Sequence, residues 1–263
     1  MTAISTGREM KLGQHFLVDR NVIERIAGYA DLGRQDSVLE IGPGTGSLTE
    51  ALAARAGRVY AVEIDSGLAA SLCQRFFSSA ASGCRVEVIA GDAMRVELPC
   101  YSKIVSNLPY QISTPVTYRL LSRPFDLAVL MYQKEFVRRM TAAPGSERYG
   151  RLAMTAGFLC EIEILETVSK MAFRPVPQVD SAIVRLTPRS DRPQGDPARF
   201  IRLAEGLFNN RRKKVRKGLA SLGAGPEALA ELDAGLLERR PEELAPDEAA
   251  RLLPALSGGG DKP

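Results

Sequence analysis

The chain has no tryptophan and only one histidine, His15, among its 263 residues. Its four cysteines, Cys73, Cys84, Cys100 and Cys160, form no C-x-x-C pair. One imidazole and scattered thiols give neither a zinc-site spacing nor a disulfide framework. A metal-free protein with reduced thiols is the expectation. No apolar run comes near the roughly 18 residues that cross a bilayer, and the start of the chain, with Arg8, Glu9 and Lys11, lacks the apolar core of a signal peptide. These absences argue against a membrane protein or a secreted disulfide scaffold and lead to the expectation of a cytoplasmic protein. Phosphate-binding signatures are missing too. No P-loop lysine motif occurs, and the dinucleotide pattern G-x-G-x-x-G fails at its third glycine, where Ser47 stands.

What is present is ordinary in bulk: 45% hydrophobic and 25% charged residues, as in soluble globular domains. The length suits one large domain and a small one. The net charge of +4 is mild, but it is unevenly placed. In 211-RRKKVRK-217 every residue except Val215 is basic, and Arg138, Arg139, Arg148 and Arg151 add to it. Such a run is either a solvated helix face or a surface for backbone phosphates.

Read in order, residues 1–12 form a basic arm expected to be flexible. A helix is predicted from about Arg20 to Ala30, with Asp19 as N-cap and Val22, Ile23, Ile26 and Ala27 on one face. A buried strand is predicted at Ser37–Ile41, further strands at Arg58–Val62, Arg85–Ile89 and Ile104–Ser106, and a fifth, apolar strand at Leu127–Met131. Helices at Leu48 to about Arg55, Gly67–Phe77 and Thr114–Ser122 alternate with them. This alternation predicts an α/β domain with a parallel, doubly wound sheet. Two later β-rich runs, Ile162–Val168 and Ala182–Leu186, flank 173-FRPVPQVDS-181 and should extend the sheet edge in antiparallel fashion. Pro188–Pro197 reads as a linker. Beyond it, Phe200, Leu203, Leu207, Val215 and Leu219 keep helical spacing and predict a small helical domain. The resulting division is 13–188 for the α/β domain, 189–256 for the helical one, and 257–263 for a disordered tail.

In an open α/β sheet the ligand lies beyond the carboxyl ends of the strands. Those ends carry Gly42, Gly44 and Gly46, then Glu63, Asp92 and Asn107. Glycines that close together let backbone approach a ligand unobstructed, and the following helix can present N–H groups to a carboxylate as well as to a phosphate. Glu63, roughly 20 positions after the loop, suits ribose hydroxyls, and Asp92 suits the amine edge of an adenine. Either alone is equally a solvated strand-end carboxylate; together with the glycine spacing they point to S-adenosylmethionine, which has an amino-acid carboxylate, a ribose and an adenine but no phosphate. The stretch 103-KIVSNLPY-110 is the other focus. Pro109 fixes its own φ and pushes Leu108 out of helical geometry, so the loop is held extended. The Asn107 side-chain carbonyl, the Leu108 backbone carbonyl and the Tyr110 ring could hold a nucleobase by its exocyclic amine; the bland alternative is a strand ending in a proline turn. His15 is either a surface residue or a contact at a pocket mouth.

With GQHFL, EIGPGTG, VEID, GDA, NLPY and FRPVPQVDS in one order, the sequence resembles the rRNA adenine N6,N6-dimethyltransferases of the KsgA type from about residue 11 to 220. The resemblance implies a class I, Rossmann-like S-adenosylmethionine methyltransferase domain with a small C-terminal helical domain. It implies dimethylation of two adjacent adenosines in a hairpin near the 3′ end of small-subunit rRNA, and hence a role in ribosome biogenesis on the immature small subunit. Carried over by motif, His15 and Leu17 border the cofactor's methionine end, and Gly42 and Gly44 line the loop. Glu63 holds the ribose, Asp92 the cofactor adenine, and Asn107 bridges cofactor and target. Tyr110 and Phe173 stack on the target base, with Leu108 as a second acceptor. Many bacterial members have Asn where His15 stands. Arg211, Arg212, Lys213, Lys214, Arg216 and Lys217 are the expected RNA contacts, and a monomer is expected. Two alternatives share the fold: a large-subunit rRNA adenine methyltransferase of the antibiotic-resistance type, and a non-catalytic ribosome-assembly factor. A small-molecule or DNA amine methyltransferase fits the basic C-terminal part less well.

Overall fold

The protein is described from a computed structural model, covering residues 15–77, 84–191 and 196–256. The arm at 1–12 and the tail at 257–263 lie outside the described residues. A short strand β1 (Phe16–Leu17) precedes helix α1 (Arg20–Tyr29), and Asp19 caps α1 by accepting the N–H groups of Asn21 and Val22. α1 buries Val22, Ile23, Ile26 and Ala27, the face its spacing predicts.

Five parallel strands follow: β2 (Ser37–Ile41), β3 (Arg58–Glu63), β4 (Arg85–Ala90), β5 (Lys103–Asn107) and β6 (Leu127–Gln133). Helices α2 (Ser47–Ala53), α3 (Ser66–Phe77) and α4 (Ser113–Leu121) connect them. After β6 come α5 (Lys134–Met140), α6 (Arg151–Leu159), β7 (Cys160–Val168), the two-residue β8 (Phe173–Arg174) and β9 (Ser181–Pro188). The sheet runs β4-β3-β2-β5-β6-β9-β7, with β9 antiparallel to both of its neighbours. The expected antiparallel extension is there, with the later strand inserted between β6 and the edge.

Period-two alternation sends successive side chains to opposite faces of the sheet. Leu39, Ile104 and Leu130 join one core cluster, while Val38, Val105 and Val129 join the other. Both faces are covered, so even the polar Glu40 of β2 and Ser106 of β5 are buried. The first core continues into the C-terminal helices α7 (Pro197–Asn209), α8 (Val215–Ser221), α9 (Pro226–Ala230), α10 (Ala234–Glu238) and α11 (Pro246–Ala250). Phe158 stacks on Phe200 with ring centroids 3.9 Å apart, and the buried Tyr149 hydroxyl donates to the Leu244 carbonyl at 2.8 Å. The 188–197 stretch is bounded by Pro188, which ends β9, and Pro197, which opens α7 behind an Asp196 cap. Within it Arg189 bridges Asp191 and Asp247.

α5, α6 and the antiparallel β1–β8 pair are not legible in the sequence. That pair aligns Leu17 with Phe173 and Phe16 with Arg174. It is reinforced by the Val18 N–H donating to the Ala172 carbonyl at 2.9 Å, and it brings the His15 segment to the FRPVPQVDS loop.

Candidate active site

The chain leaves β2 for β3 and β4 on one side and resumes with β5 and β6 on the other, so the sheet's switch point lies between β2 and β5. A cleft of about 420 Å³ opens there, where an open α/β sheet binds its ligand. His15, Leu17, Gly42, Gly44, Glu63, Asp92, Asn107, Leu108 and Tyr110 all line it. Nine of the site residues named from sequence are thus brought to one cavity.

Two loops make its floor. In the first, Gly42 and Gly44 have φ of 70° and 56°, left-handed values that favour glycine. A Cβ on Gly44 would lie 2.9 Å from the Phe16 ring. The Glu63 carboxylate, buried at the end of β3, locks this loop by accepting the Gly44 N–H at 3.0 Å and the Asp65 N–H at 2.9 Å. Asp92 accepts the Met94 N–H at 2.8 Å, fixing the turn after β4. In the second loop Pro109 holds φ −58° and ψ 126°, extended as expected. Its own carbonyl is not free: the Ile112 N–H and the Ser113 hydroxyl both donate to it at 3.2 Å. Asn107 differs. Its Oδ1 is buried and has no hydrogen-bond partner among the described residues. A buried, unmatched acceptor costs about 1–3 kcal/mol, so an acceptor left open at a cleft wall is suited to an incoming N–H.

Tyr110 is half-buried, and its hydroxyl lies 2.7 Å from the Ser181 hydroxyl. Burial pushes this phenol's pKa up, partly offset by the Ser181 bond, so it stays neutral. The His15 ring lies 6.0 Å from the Tyr110 ring, and its Nδ1 donates to the Pro175 carbonyl at 2.9 Å. That carbonyl can only accept, which places the proton of a neutral ring on Nδ1 and leaves Nε2 as an acceptor.

Sequence reasoning missed two residues of the site. Glu40 lines the cleft, yet it is fully buried, and its Oε2 accepts the Thr49 hydroxyl at 2.7 Å. Burial raises its pKa to about 8, against the Thr49 bond and helped by the nearby Glu63 charge. Its place just before the glycine loop was the available clue. Ser181 is the other, as the last residue of FRPVPQVDS.

One expectation needs correction. Phe173 is not a cleft residue: its side chain is completely buried in the second core with Leu17 and Ala172, pinned by the β1–β8 pair. No face of its ring is open for stacking. The basic run is exposed as expected, but half of it is already paired: Arg211 with Glu242, and both Lys214 and Arg216 with Glu238. Among the described residues Arg212, Lys213 and Lys217 have no ion-pair partner. Of the other arginines, Arg138 and Arg148 both pair with Glu135, and Arg151 pairs with Glu205. Among the described residues there is no cluster able to hold a metal, and no helix long and apolar enough to cross a membrane.

A Rossmann-like sheet with a glycine loop and a strand-end acid beside a cleft at its switch point has the architecture of a class I methyltransferase. Comparison with known proteins narrows this. The family model for ribosomal RNA adenine dimethylase matches residues 6–249, and the chain belongs to that family. It is therefore an enzyme whose methyl donor is S-adenosylmethionine. It is 44% identical over 257 residues to a probable ribosomal RNA small subunit methyltransferase A of Methanothermobacter thermautotrophicus, covering 94% of this chain and 91% of that one. A protein of the same description from Pyrococcus abyssi is 44% identical over 209 residues, covering 80% and 74%. Among solved structures, a dimethyladenosine transferase from Plasmodium falciparum superposes with a TM-score of 0.76 at 29% identity, covering 90% and 95%. The 23S rRNA methyltransferase ErmE gives 0.66 at 33% identity, covering 92% and 100%.

Proposed function

We propose that this enzyme dimethylates the N6 amines of two adjacent adenosines in a hairpin near the 3′ end of small-subunit rRNA, working on the immature small subunit during its assembly. The family and the small-subunit relatives support the substrate. The observation that carries the chemistry is the unmatched Asn107 Oδ1 at the cleft wall. The ribosomal RNA named for its relatives supports a cytoplasmic setting.

When bound, S-adenosylmethionine supplies a methyl group already activated by its sulfonium. Gly42 and Gly44 would leave room for it, Glu63 and Asp92 would offer carboxylate oxygens to ribose hydroxyls and an adenine amine, and His15 and Leu17 would border its methionine end. The target nitrogen is the harder partner, because an adenine amine delocalises its lone pair into the ring. Asn107 Oδ1 and the Leu108 carbonyl accept its two N–H groups, which favours a pyramidal nitrogen with a localised lone pair. These acceptors are in place before the reaction, so positioning and fixed dipoles lower the barrier. Charge building on the nitrogen is stabilised by the same oxygens, and its proton passes to solvent without a strong base. Tyr110 offers the target base a ring face in exchange for its lost stack.

The likeness to ErmE keeps a second reading in view, methylation of large-subunit rRNA. Labelled methyl transfer to immature small subunits and to large subunits, with product nucleosides identified, separates the two. Dimethyladenosine in small-subunit rRNA alone is expected; label in large-subunit rRNA would overturn the assignment.

A further inference from the structure

We propose that Ser181 is a positioning residue for methyl transfer, fixing the Tyr110 ring at the height where the target base must be met. The inference rests on the reading of Tyr110 as a face for that base. The two residues are 71 positions apart, yet their hydroxyls are 2.7 Å from each other. Ser181 is completely buried at the start of β9. β9 is an interior strand, so ladders hold Ser181 on both sides, opposite Gln133 of β6 and opposite Val168 of β7. Its hydroxyl is therefore a fixed point.

Tyr110 has no such support. It opens a single 3-10 turn, Tyr110–Ile112, behind Pro109, and its side chain reaches into the cleft wall half-buried. A phenol can turn about its ring axis without moving its oxygen, so anchoring that oxygen fixes where the ring stands while leaving the ring able to adjust its tilt. The bond engages the hydroxyl, while the ring remains part of the cleft lining. Because β9 runs against the parallel strands, its first residue lies at the same sheet edge as Asn107, the last residue of β5. The fixed point and the unmatched acceptor thus share one frame.

The test is a double-mutant cycle on single-turnover methyl transfer with saturating cofactor and an rRNA hairpin substrate. Losing one ordinary hydrogen bond corresponds to a change of about threefold to tenfold. Ser181→Ala and Tyr110→Phe should each slow transfer by about that factor, leave cofactor affinity unchanged, and give no further loss when combined. Any loss of melting temperature from the buried Ser181→Ala change should persist in the Tyr110→Phe background, whereas its effect on rate should vanish there. Additive rate effects, or a Ser181→Ala enzyme with the wild-type rate, would overturn the proposal. Tyr110→Ala separates this from the parent reading: a wild-type rate in that variant sinks the role of Tyr110 itself, while a large loss there beside an unaffected Ser181→Ala enzyme sinks only the role of Ser181.

Discussion

Gly42 and Pro109 touch across the switch point: a Cβ on Gly42 would stand 2.9 Å from Cγ of Pro109. The glycine that opens the cofactor loop and the proline that stiffens the N-L-P-Y loop are thus mutually constrained. A proline ring cannot swing aside as a long side chain can. Gly42→Ala therefore meets a steric penalty on top of a left-handed backbone cost of about 1–2 kcal/mol. Cofactor affinity measured by calorimetry is expected to fall at least tenfold, and methyl transfer with it. An alanine variant that binds as the wild type does would mean the two loops are not coupled.

Asn107→Ala removes the open acceptor without touching Glu63, Asp92 or the glycine loop. Single-turnover transfer should drop on the order of a hundredfold or more, in the range seen when one preorganised hydrogen-bonding group is deleted from an active site. Cofactor binding should stay within a few-fold. Equal rates in the variant and the parent would remove the assigned role.

Glu40 gives a pH dependence of stability. Its carboxyl is held neutral by burial, with a pKa of about 8 against a usual 4.5. Between those values the folded protein keeps a proton that the unfolded chain has released. The associated stability is fully present below the unfolded pKa and is lost as pH rises through about 8. Glu40→Gln keeps an acceptor for the Thr49 hydroxyl but cannot ionise. The cofactor-free variant should melt at a temperature that changes less across this window, gaining on the parent by on the order of a few kcal/mol at the alkaline end. Parallel melting curves against pH in the two proteins would contradict the assignment.

Phe173, as a core residue, should behave like one. Phe173→Ala is expected to lose about 3–5 kcal/mol of stability, whereas Phe173→Leu keeps most of the volume and should stay near the parent in both stability and methyl transfer. A stable Phe173→Leu enzyme with strongly reduced transfer would restore the stacking role that the burial argues against.

The basic run should not act uniformly on RNA. Neutralising Arg212, Lys213 and Lys217 together should flatten the salt dependence of RNA affinity by about 0.7–0.9 in log–log slope for each phosphate these side chains reach. Arg211, Lys214 and Arg216 approach RNA already paired with Glu242 or Glu238, so neutralising them should change the slope less. Equal slopes for the two triple variants would show that the ion pairs open on binding.

The parallel strands were legible from their β-rich runs between helical segments, even for the part-exposed edge strand β4, and Glu63 and Asn107 close two of them. Local chemistry was enough to single out Gly42, Glu63 and Asn107, which line one cleft. It was not enough for α5 and α6. In α5 the buried Phe136, Val137 and Met140 alternate with Lys134, Glu135 and Arg138 over only seven residues. In α6 Phe158 finds its partner in Phe200, across the 188–197 stretch. Phe173 was misread for the same reason. A phenylalanine beside two prolines looks like a loop residue until the chain brings Leu17 alongside it, and nothing within its own neighbourhood announces that partner.

The reversed direction of β9 has an architectural consequence. Gly42, Glu63, Asp92 and Asn107 stand at or just beyond the finishing ends of parallel strands, whereas the 175–180 segment leads into the opening residue of a strand laid the other way. Changes at 176–180 would therefore leave those strand ends in place, whereas Pro175, whose carbonyl holds His15, ties the segment back to the cleft mouth.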